Sequence, residues 1–439
     1  MWYNKSINNL ILEIKMQANT KIYENGLRVV FQKTDSTKPF TLMVGVNTGS
    51  VNESQENNGV SHFIEHMVFK ATTNRSAEDI SKDLEGIGAN ANAFTSKYHT
   101  CFYATCMTEE SEKCFELLSD MFFNSKFEQG EIDKERKVIF EEIDMYEDDP
   151  SSVATEDFTR LFFEGTKVEK SVIGTKNSLK NINREEILNY KNKFYTPDRI
   201  VISVTGGIKE EILYGYIEKY FISNLTKKKA EPVTFVNQQE IKHLPKKKFN
   251  FIKKDIVQTN IVFGFPIKGI YTSERMAYTL LSFIVGGGMS SRLFQKIRED
   301  LGLVYTIYCL PDFYDIGGSM VVSFATNSSQ QTVAIEAIKK ELDNLIKNGV
   351  TEEELNRAKV FCKTLIVTSS ETSINTTKHN TSDTLVYNKL RTVDMKLSEI
   401  QAVTLEQINN LIVDTFKYDN MCGTVVSDKP NKKAFDCFK

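Results

Sequence analysis

The sequence lacks most of the features that mark specialised chains. Its 439 residues include only 8 prolines and 22 glycines, too few for a collagen-like, disordered or low-complexity protein. The net charge of −3, from 55 basic and 58 acidic residues, argues against nucleic acid or an anionic membrane as a partner. No stretch approaches 18 uninterrupted apolar residues, so no transmembrane helix is expected.

Cysteine is also scarce, and its pattern indicates a compartment. The 7 cysteines form an odd number without a C-x-x-C pair, in a chain long enough to fold without disulfides. A cytoplasmic location is therefore predicted. The first residues carry a short apolar run that Glu13 interrupts, with no basic segment before it, so no signal peptide is expected. Residues 1–18 are interpreted as a tail or as the product of an upstream start.

Histidine is also scarce, and the positions of two histidines indicate a metal site. Two of the 5 histidines fall in the run His62-Phe63-Ile64-Glu65-His66, which is H-x-x-E-H, the inverse of the H-E-x-x-H zinc signature. The apolar spacing predicts a helix, on which residues four apart share a face, so both imidazoles can reach one metal ion. A zinc ion with three protein ligands keeps a position open for water, and an adjacent glutamate can take the proton of that water.

Two such histidines need a third ligand, and the acidic helix GEIDKERKVIFEEIDMYEDDP supplies candidates. Glu135 and Glu142 lie seven residues apart, which places them on nearly the same helix face. The alternative is a solvated acidic helix face that binds no metal. The residues alone leave that alternative open.

The order of strands and helices divides the chain into two similar halves. We predict an α/β domain over 19–223, a lysine-flanked linker over 224–248 and a second α/β domain over 249–439. The similarity between the halves is clearest in one amphipathic helix. GEIDKERKVIFEEI of the first half aligns with EEELNRAKVFCKTLI of the second, with Ile132 opposite Leu355. In that alignment an alanine and a leucine of the second half stand opposite the two glutamates, so only the first half keeps the carboxylates.

At this point the residues resemble a known family. H-x-x-E-H with a glutamate 76 residues beyond the second histidine (142 − 66) is similar to the pitrilysin-type zinc metallopeptidases, or inverzincins. The shorter subgroup, which contains the beta subunit of mitochondrial processing peptidase and its bacterial homologues, is the nearest. The resemblance implies one zinc ion per chain on His62, His66 and Glu142. It also implies two catalytic-site carboxylates, with Glu65 activating water and Glu135 supporting the metal site without ligating it.

Two further blocks extend the resemblance. GANANAFTSKYHTCFYA resembles the edge strand with which the family binds substrate backbone, and this implies substrate-binding roles for Asn92, Ala93 and Phe94. GGGMSSRLFQKIREDLGLVYTIY resembles the block whose arginine and tyrosine contact substrate, here Arg298 and Tyr305. Without the family, an ordinary strand, a helix-end arginine and a core tyrosine would explain the same residues.

The resemblance also implies a fold and an activity. The expected class is α+β, with two duplicated halves that each contain a mostly antiparallel sheet covered by helices on one face, the processing-peptidase/LuxS-like metallohydrolase fold. The expected activity is zinc-dependent endoproteolysis of extended peptides or presequence-like segments in a closed chamber. A homodimer is favoured, with a heterodimer of homologous chains as the alternative. The rival hypothesis is a catalytically inactive, peptidase-like structural subunit.

Overall fold

The structure, a computed structural model, describes residues 18–35, 39–225 and 243–438, which form two β-sheets and the helices packed against them. The strands within these residues are β1 Ala18–Ile22, β2 Arg28–Lys33, β3 Phe40–Val46, β4 Asn90–Thr95, β5 Thr100–Cys106, β6 Ile200–Gly206, β7 Lys248–Lys253, β8 Thr259–Ile267, β9 Ile307–Tyr314, β10 Gly317–Thr326 and β11 Cys422–Ser427.

The α-helices of the same residues are α1 Val60–Met67, α2 Ala77–Gly86, α3 Ser111–Asn124, α4 Gln129–Asp148, α5 Pro150–Phe162, α6 Lys176–Lys180, α7 Arg184–Phe194, α8 Glu210–Tyr220, α9 Arg275–Gly286, α10 Gln331–Asn348, α11 Glu352–Thr368, α12 Ser373–Tyr387, α13 Val393–Ala402 and α14 Leu405–Thr415. A π-helical segment covers Phe294–Asp300. None of the helices in the described ranges is long and apolar enough to cross a membrane.

The two sheets share one topology. The first has the strand order β1-β2-β6-β3-β5-β4, and the second has the order β7-β11-β8-β10-β9. In each sheet one pair is parallel, β2 with β6 and β7 with β11, and the remaining pairs are antiparallel. Apart from the additional β1, strand order and direction agree throughout. The predicted α+β duplication with mostly antiparallel sheets is therefore confirmed.

Contacts between residues group the chain into two compact units that do not follow chain order. Among the described residues, the first unit holds 18–137, 172–225 and 369–392, and the second holds 138–171, 243–368 and 393–438. Helix α4 is continuous and passes from the first unit to the second after Lys137. Each unit therefore contains one sheet and one segment from the other half of the sequence.

In the first unit, helices cover both faces of the sheet. One face contacts α1 and α3, where Phe102 of β5 meets Phe122 with ring centroids 5.8 Å apart. The opposite face carries α12, a helix from the second half of the sequence. A Cβ atom added to Gly45 would lie 2.4 Å from Thr381 of α12, so this close approach requires glycine. Helices were predicted on one face of the sheet only. The structure differs, because α12 packs on the other face as well.

Helix α12 is joined to its sheet by buried polar groups. Thr377 Oγ1 donates to Thr205 Oγ1 at 2.8 Å, and Asn380 Nδ2 donates to Gln32 Oε1 at 2.9 Å. The Arg28 guanidinium donates to the carbonyl oxygen of Thr384 at 3.0 Å, near the end of the helix. Hydrophobic periodicity does not report such an interface, because the side chains that dock the helix are polar.

The second unit has the reciprocal arrangement. Helix α5, from the first half of the sequence, packs on β8 and β11, where Asp157 accepts hydrogen bonds from Thr424 Oγ1 at 2.8 Å and Asn250 Nδ2 at 2.9 Å. The other face forms an apolar core with α9, α10 and α14. The domain bounds 19–223 and 249–439 thus remain a prediction about chain order, because these packing units cross them.

The predicted tail and linker fall mostly outside the described residues. Residues 1–17 of the tail and 226–242 of the linker lie outside them. The acidic helix predicted from GEIDKERKVIFEEIDMYEDDP is α4. Helix α2 begins after Ser76, which forms a capping box with Asp79.

Candidate active site

Helix α1 presents two histidines at the edge of the first sheet. It follows Gly59, whose φ of 96° lies in the left-handed region that favours glycine. The apolar side chains of the helix are buried, and it packs on β4, β5 and α7. His62 is buried and His66 is half-buried, with ring centroids 4.5 Å apart. The predicted helix with its i, i+4 pair of imidazoles is present.

Glu142 of α4 completes a group of three donors. One nitrogen from each of His62 and His66 and one carboxylate oxygen of Glu142 all lie within 4.8 Å of one another. Two imidazoles and one carboxylate are a donor set that suits zinc and leaves a coordination position open. These residues therefore fit the metal that the sequence predicts, and their role as ligands remains a prediction.

Glu135 lies two turns before Glu142 and contacts His66 instead of joining the donor group. Its Oε1 accepts a hydrogen bond from His66 Nδ1 at 2.8 Å, and its Oε2 is 2.5 Å from Lys70 Nζ. Burial alone would raise the pKa of the Glu135 carboxyl, but the interactions with His66 and Lys70 outweigh it and lower the pKa. Because Nδ1 carries a proton toward Glu135, Nε2 is the nitrogen that His66 can offer to a metal.

Glu65 is held by the edge strand. Its Oε2 accepts a hydrogen bond of 2.5 Å from Thr95 Oγ1, at the last residue of β4. Helix α1 thereby connects the two predicted ligands to the strand predicted to bind substrate. Thr95 was not among the predicted residues, although it directly follows Phe94 in the sequence.

Strand β4 forms one edge of the first sheet and pairs with β5. Of its predicted substrate residues, Asn92 is exposed, whereas Ala93 and Phe94 are half-buried. The Phe94 ring lies 5.9 Å from the His99 ring and 6.5 Å from the Tyr103 ring, measured between centroids. An edge strand of this kind can accept an extended peptide as an additional strand.

In the second unit, the structure brings the predicted arginine and tyrosine together. The guanidinium carbon of Arg298 lies 5.4 Å from the centroid of the Tyr305 ring and 4.5 Å from that of Phe294. Tyr305 is 72% exposed, unlike a core tyrosine, and lies two residues before β9. Gly302, with a φ of 59°, follows the π-helical segment that carries Arg298. Both side chains keep donors that can reach a ligand.

Two family models match the chain in succession. Residues 28–176 match the model described as Insulinase (Peptidase family M16), and residues 181–360 match the model described as Peptidase M16 inactive domain. Together they span more than half of the 439 residues. The chain belongs to peptidase family M16. The second model's description agrees with the loss of carboxylates predicted for the second half.

Curated relatives within family M16 are named as zinc proteases. The "Uncharacterized zinc protease YmxG" of Bacillus subtilis is 35% identical over 398 residues, which cover 90% of this chain and 95% of the relative. An "Uncharacterized zinc protease" of Rickettsia felis is 32% identical over 359 residues, which cover 82% of this chain and 85% of the relative. The family resemblance predicted from the sequence is confirmed.

Solved structures agree with the fold. A protease from Helicobacter pylori has a TM-score of 0.85 at 20% identity and covers 94% of this chain and 99% of its own. A peptidase M16 inactive domain from Pseudomonas fluorescens has a TM-score of 0.84 at 17% identity and covers 94% and 98%. The two-sheet M16-like fold is therefore confirmed.

Glu53, which was not among the predicted site residues, anchors the start of α1. Glu53 Oε2 accepts hydrogen bonds from the Gly59 N–H at 2.7 Å and from Asn58 Nδ2 at 2.8 Å, and Oε1 accepts one from the Ser61 N–H at 2.9 Å. Burial raises the pKa of the Glu53 carboxyl, while these hydrogen bonds oppose the shift. The signal was an acidic residue upstream of the helix, but it lies six residues before Gly59 and outside the usual capping position.

Proposed function

We propose that this M16 chain is a zinc-dependent endopeptidase of the processing-peptidase-like subgroup that cleaves extended peptides or presequence-like segments. The observation that carries the proposal is the convergence of donor atoms of His62, His66 and Glu142 within 4.8 Å, with Glu65 on the same helix as both histidines. A zinc ion bound there would lower the pKa of a water molecule and polarise a peptide carbonyl. Proton transfer and substrate binding are proposed to depend on this protein's own side chains.

Glu65 is proposed as the proton carrier. Its carboxylate takes a proton from the attacking water and then gives one to the leaving amine. Glu65 thus acts first as a general base and then as a general acid. Thr95 fixes one of its oxygens through the 2.5 Å hydrogen bond. Glu135 is proposed to keep His66 in the tautomer and orientation that a metal ligand needs, through the 2.8 Å contact with Nδ1.

Substrate binding is proposed to use strand addition on β4. Backbone groups of an extended peptide pair with the strand that contains Asn92, Ala93 and Phe94, which aligns the peptide before reaction. Arg298 and Tyr305 are proposed to donate to substrate carbonyl oxygens. Peptides able to adopt an extended conformation are thus the proposed substrate class.

The assembly and location are also proposals. A homodimer that forms a closed chamber is favoured, because one chain carries both the zinc motif and the Arg298/Tyr305 pair. A heterodimer with a second homologous chain is the alternative. A cytoplasmic location is supported by the cysteines, all seven of which are free thiols.

A catalytically inactive structural subunit is the competing hypothesis. It has no use for a carboxylate beside the donor group or for a glutamate that orients His66, because a structural role does not require donor atoms of His62, His66 and Glu142 to converge. Glu135 is 5% exposed and is paired with His66 and Lys70, which favours the enzymatic hypothesis.

The test compares the purified protein with Glu65→Gln on a broad set of unstructured peptides, with and without a chelator. We expect one zinc per chain in both proteins and a decrease in kcat/KM of about 100- to 10,000-fold in the variant. Glu141→Gln changes an exposed glutamate next to Glu142 and serves as the matched control. If the zinc-loaded wild type cleaves no peptide, the proposal for this chain alone is wrong. Activity that appears only on mixing with a homologous chain supports the heterodimer instead.

A further inference from the structure

We propose that Lys378 of α12 is a specificity-determining residue that selects peptides with acidic side chains on one face of the bound strand. This inference rests on the proposed function, because it assumes that an extended substrate adds to β4. It concerns a residue from the second half of the sequence that lies in the first unit.

Lys378 lies over the aromatic side chains of the edge hairpin. Its Nζ is 5.5 Å from the centroid of the Phe94 ring and 4.9 Å from that of the Tyr103 ring. These rings, together with Ile374 of the same helix, are partly buried around a small apolar cluster. The ammonium group therefore lies on an aromatic surface at β4 and β5, held by cation–π contacts.

The alternation of side chains along β4 separates this surface from α1. Thr95 contacts Glu65 of α1, and Phe94, as the preceding residue, points to the opposite face of the sheet. Asn92 is opposite Tyr103 in the antiparallel register, so both lie on the Phe94 face. A peptide added to β4 would alternate in the same way. Every second substrate side chain would then point toward the face that carries Lys378.

The charge of Lys378 is available to a ligand on this face. Within the described part of the chain, its Nζ forms no ion pair within 4.0 Å, and its charged-group contacts are with the two aromatic rings. Lys378 is half-buried, and a charge beside aromatic rings at a protein surface interacts more strongly with a nearby charge than it would in bulk water. A substrate carboxylate would supply the counter-ion, whereas a substrate lysine or arginine would be repelled.

The experiment places Glu, Gln or Lys in turn at each position within three residues of the cleaved bond of one peptide. For the wild type we expect kcat/KM to favour Glu over Lys by about tenfold at alternate positions, as a charge pair near a protein surface would give. Lys378→Met should abolish this preference, Lys378→Glu should reverse it, and Lys378→Arg should retain it. Ratios between peptides cancel any change that affects all substrates equally.

Lys389→Met and Lys389→Glu are the matched controls, because Lys389 is an exposed lysine two residues beyond α12. Both control variants should keep the wild-type preference. Peptide binding is measured in parallel by fluorescence anisotropy in the Glu65→Gln background, where hydrolysis does not interfere. A charge preference in binding that Lys378→Met removes supports the inference even if no protein cleaves.

Cleavage with a charge preference that is the same in the wild type, Lys378→Met and Lys378→Glu would overturn this inference alone. Cleavage without any charge preference in the wild type would do the same. Absence of both cleavage and binding for every peptide would overturn the proposed function and this inference together. Thermal unfolding and zinc content of each variant identify a protein that has not folded, and whichever of Lys378→Met and Lys378→Glu folds then decides the outcome.

Discussion

The two halves of the sequence contribute sheets of one topology and differ in what their equivalent helices carry. Helices α4 and α11 both bury an apolar residue at the aligned position, Ile132 at 0% and Leu355 at 1% exposure. Two other aligned positions differ in chemistry. Helix α4 has Glu135 and Glu142 there, whereas α11 has an alanine and Leu365. Because α11 forms without the two carboxylates, a helix of this kind does not require them for its fold.

A second pair of equivalent helices supports this conclusion. Helix α1 follows β3 in the first sheet, and α9 follows β8, the strand in the same position of the second sheet. Helix α1 has two histidines, whereas α9, with the sequence RMAYTLLSFIVG, has none and is largely buried. A helix in this position can thus be stabilised without histidine, mainly by burial of apolar side chains. The histidines of α1 are not needed to form the architecture.

The largest effect is expected from exchanging the third donor. Glu142→Gln removes the carboxylate that we propose as a zinc ligand, and we expect zinc affinity and kcat/KM to fall by more than about 100-fold, the upper range for residues that only support a ligand. Leu365→Gln changes the equivalent, 50% exposed position of α11 and should alter neither value. Zinc titration with a competing chelator and peptide hydrolysis measure both variants. Equal zinc affinity in Glu142→Gln and the wild type would remove the functional distinction between the helices.

A smaller effect is expected at Glu135, where the second half of the sequence has Ala358. Glu135→Gln keeps the shape of the side chain but weakens its interactions with His66 and Lys70, so zinc affinity should fall by about 10- to 100-fold. Competition titration with a chelator measures this change. The control is Glu131→Gln, one turn earlier on α4, where Glu131 pairs with Lys134 at 2.6 Å.

The direction of the Glu135 result distinguishes two roles for that carboxylate. Unchanged zinc affinity in Glu135→Gln, with loss of thermal stability, would mean that the 2.8 Å contact with His66 serves folding alone. Lower zinc affinity in Glu135→Gln, with wild-type affinity in Glu131→Gln, would assign the carboxylate to the metal site.

The features that could be predicted from sequence are those that depend on short spacings. The four-residue interval between His62 and His66 and the seven-residue interval between Glu135 and Glu142 reflect helix geometry directly. The shared spacing of apolar residues also predicted that α4 and α11 are equivalent, with Ile132 opposite Leu355. Roles for the edge strand and for Arg298 depended on resemblance, because neither residue type nor spacing specifies them.

The features that could not be predicted depend on contacts between distant segments. Docking of α12 on the first sheet uses buried hydrogen bonds such as Thr377 to Thr205, which span 172 positions in the sequence. The position of Lys378 over Phe94 follows from that docking. Glu53 was missed because its carboxylate reaches backbone groups several residues ahead through a non-helical segment. Local patterns carry no information about such pairings.

The smallest effect, a change in the free energy of unfolding, is expected at two arginine clusters, one in each unit. In the first, Arg75 contacts Asp83, Glu116 and Asp120 at 2.7–2.8 Å, and the Asp120 side chain is 5% exposed. In the second, Arg292 Nε lies 2.7 Å from Glu354, whose side chain is 16% exposed. Burial would raise the pKa of each carboxyl, but hydrogen bonds from neighbouring groups, including the arginine, outweigh it and lower both.

A carboxyl whose folded-state pKa is lowered stabilises the fold above its unfolded pKa, and this contribution is lost as pH falls through the folded pKa. Asp120→Asn should therefore reduce the free energy of unfolding by about 1 kcal/mol at pH 7, with the difference from wild type shrinking below about pH 4. Glu354→Gln should show the same sign and a smaller loss, because its carboxyl is less buried. Urea unfolding at several pH values measures both. A larger loss in Glu354→Gln would show that burial does not rank the two clusters, and a loss independent of pH would show that ionisation of Asp120 contributes nothing to stability.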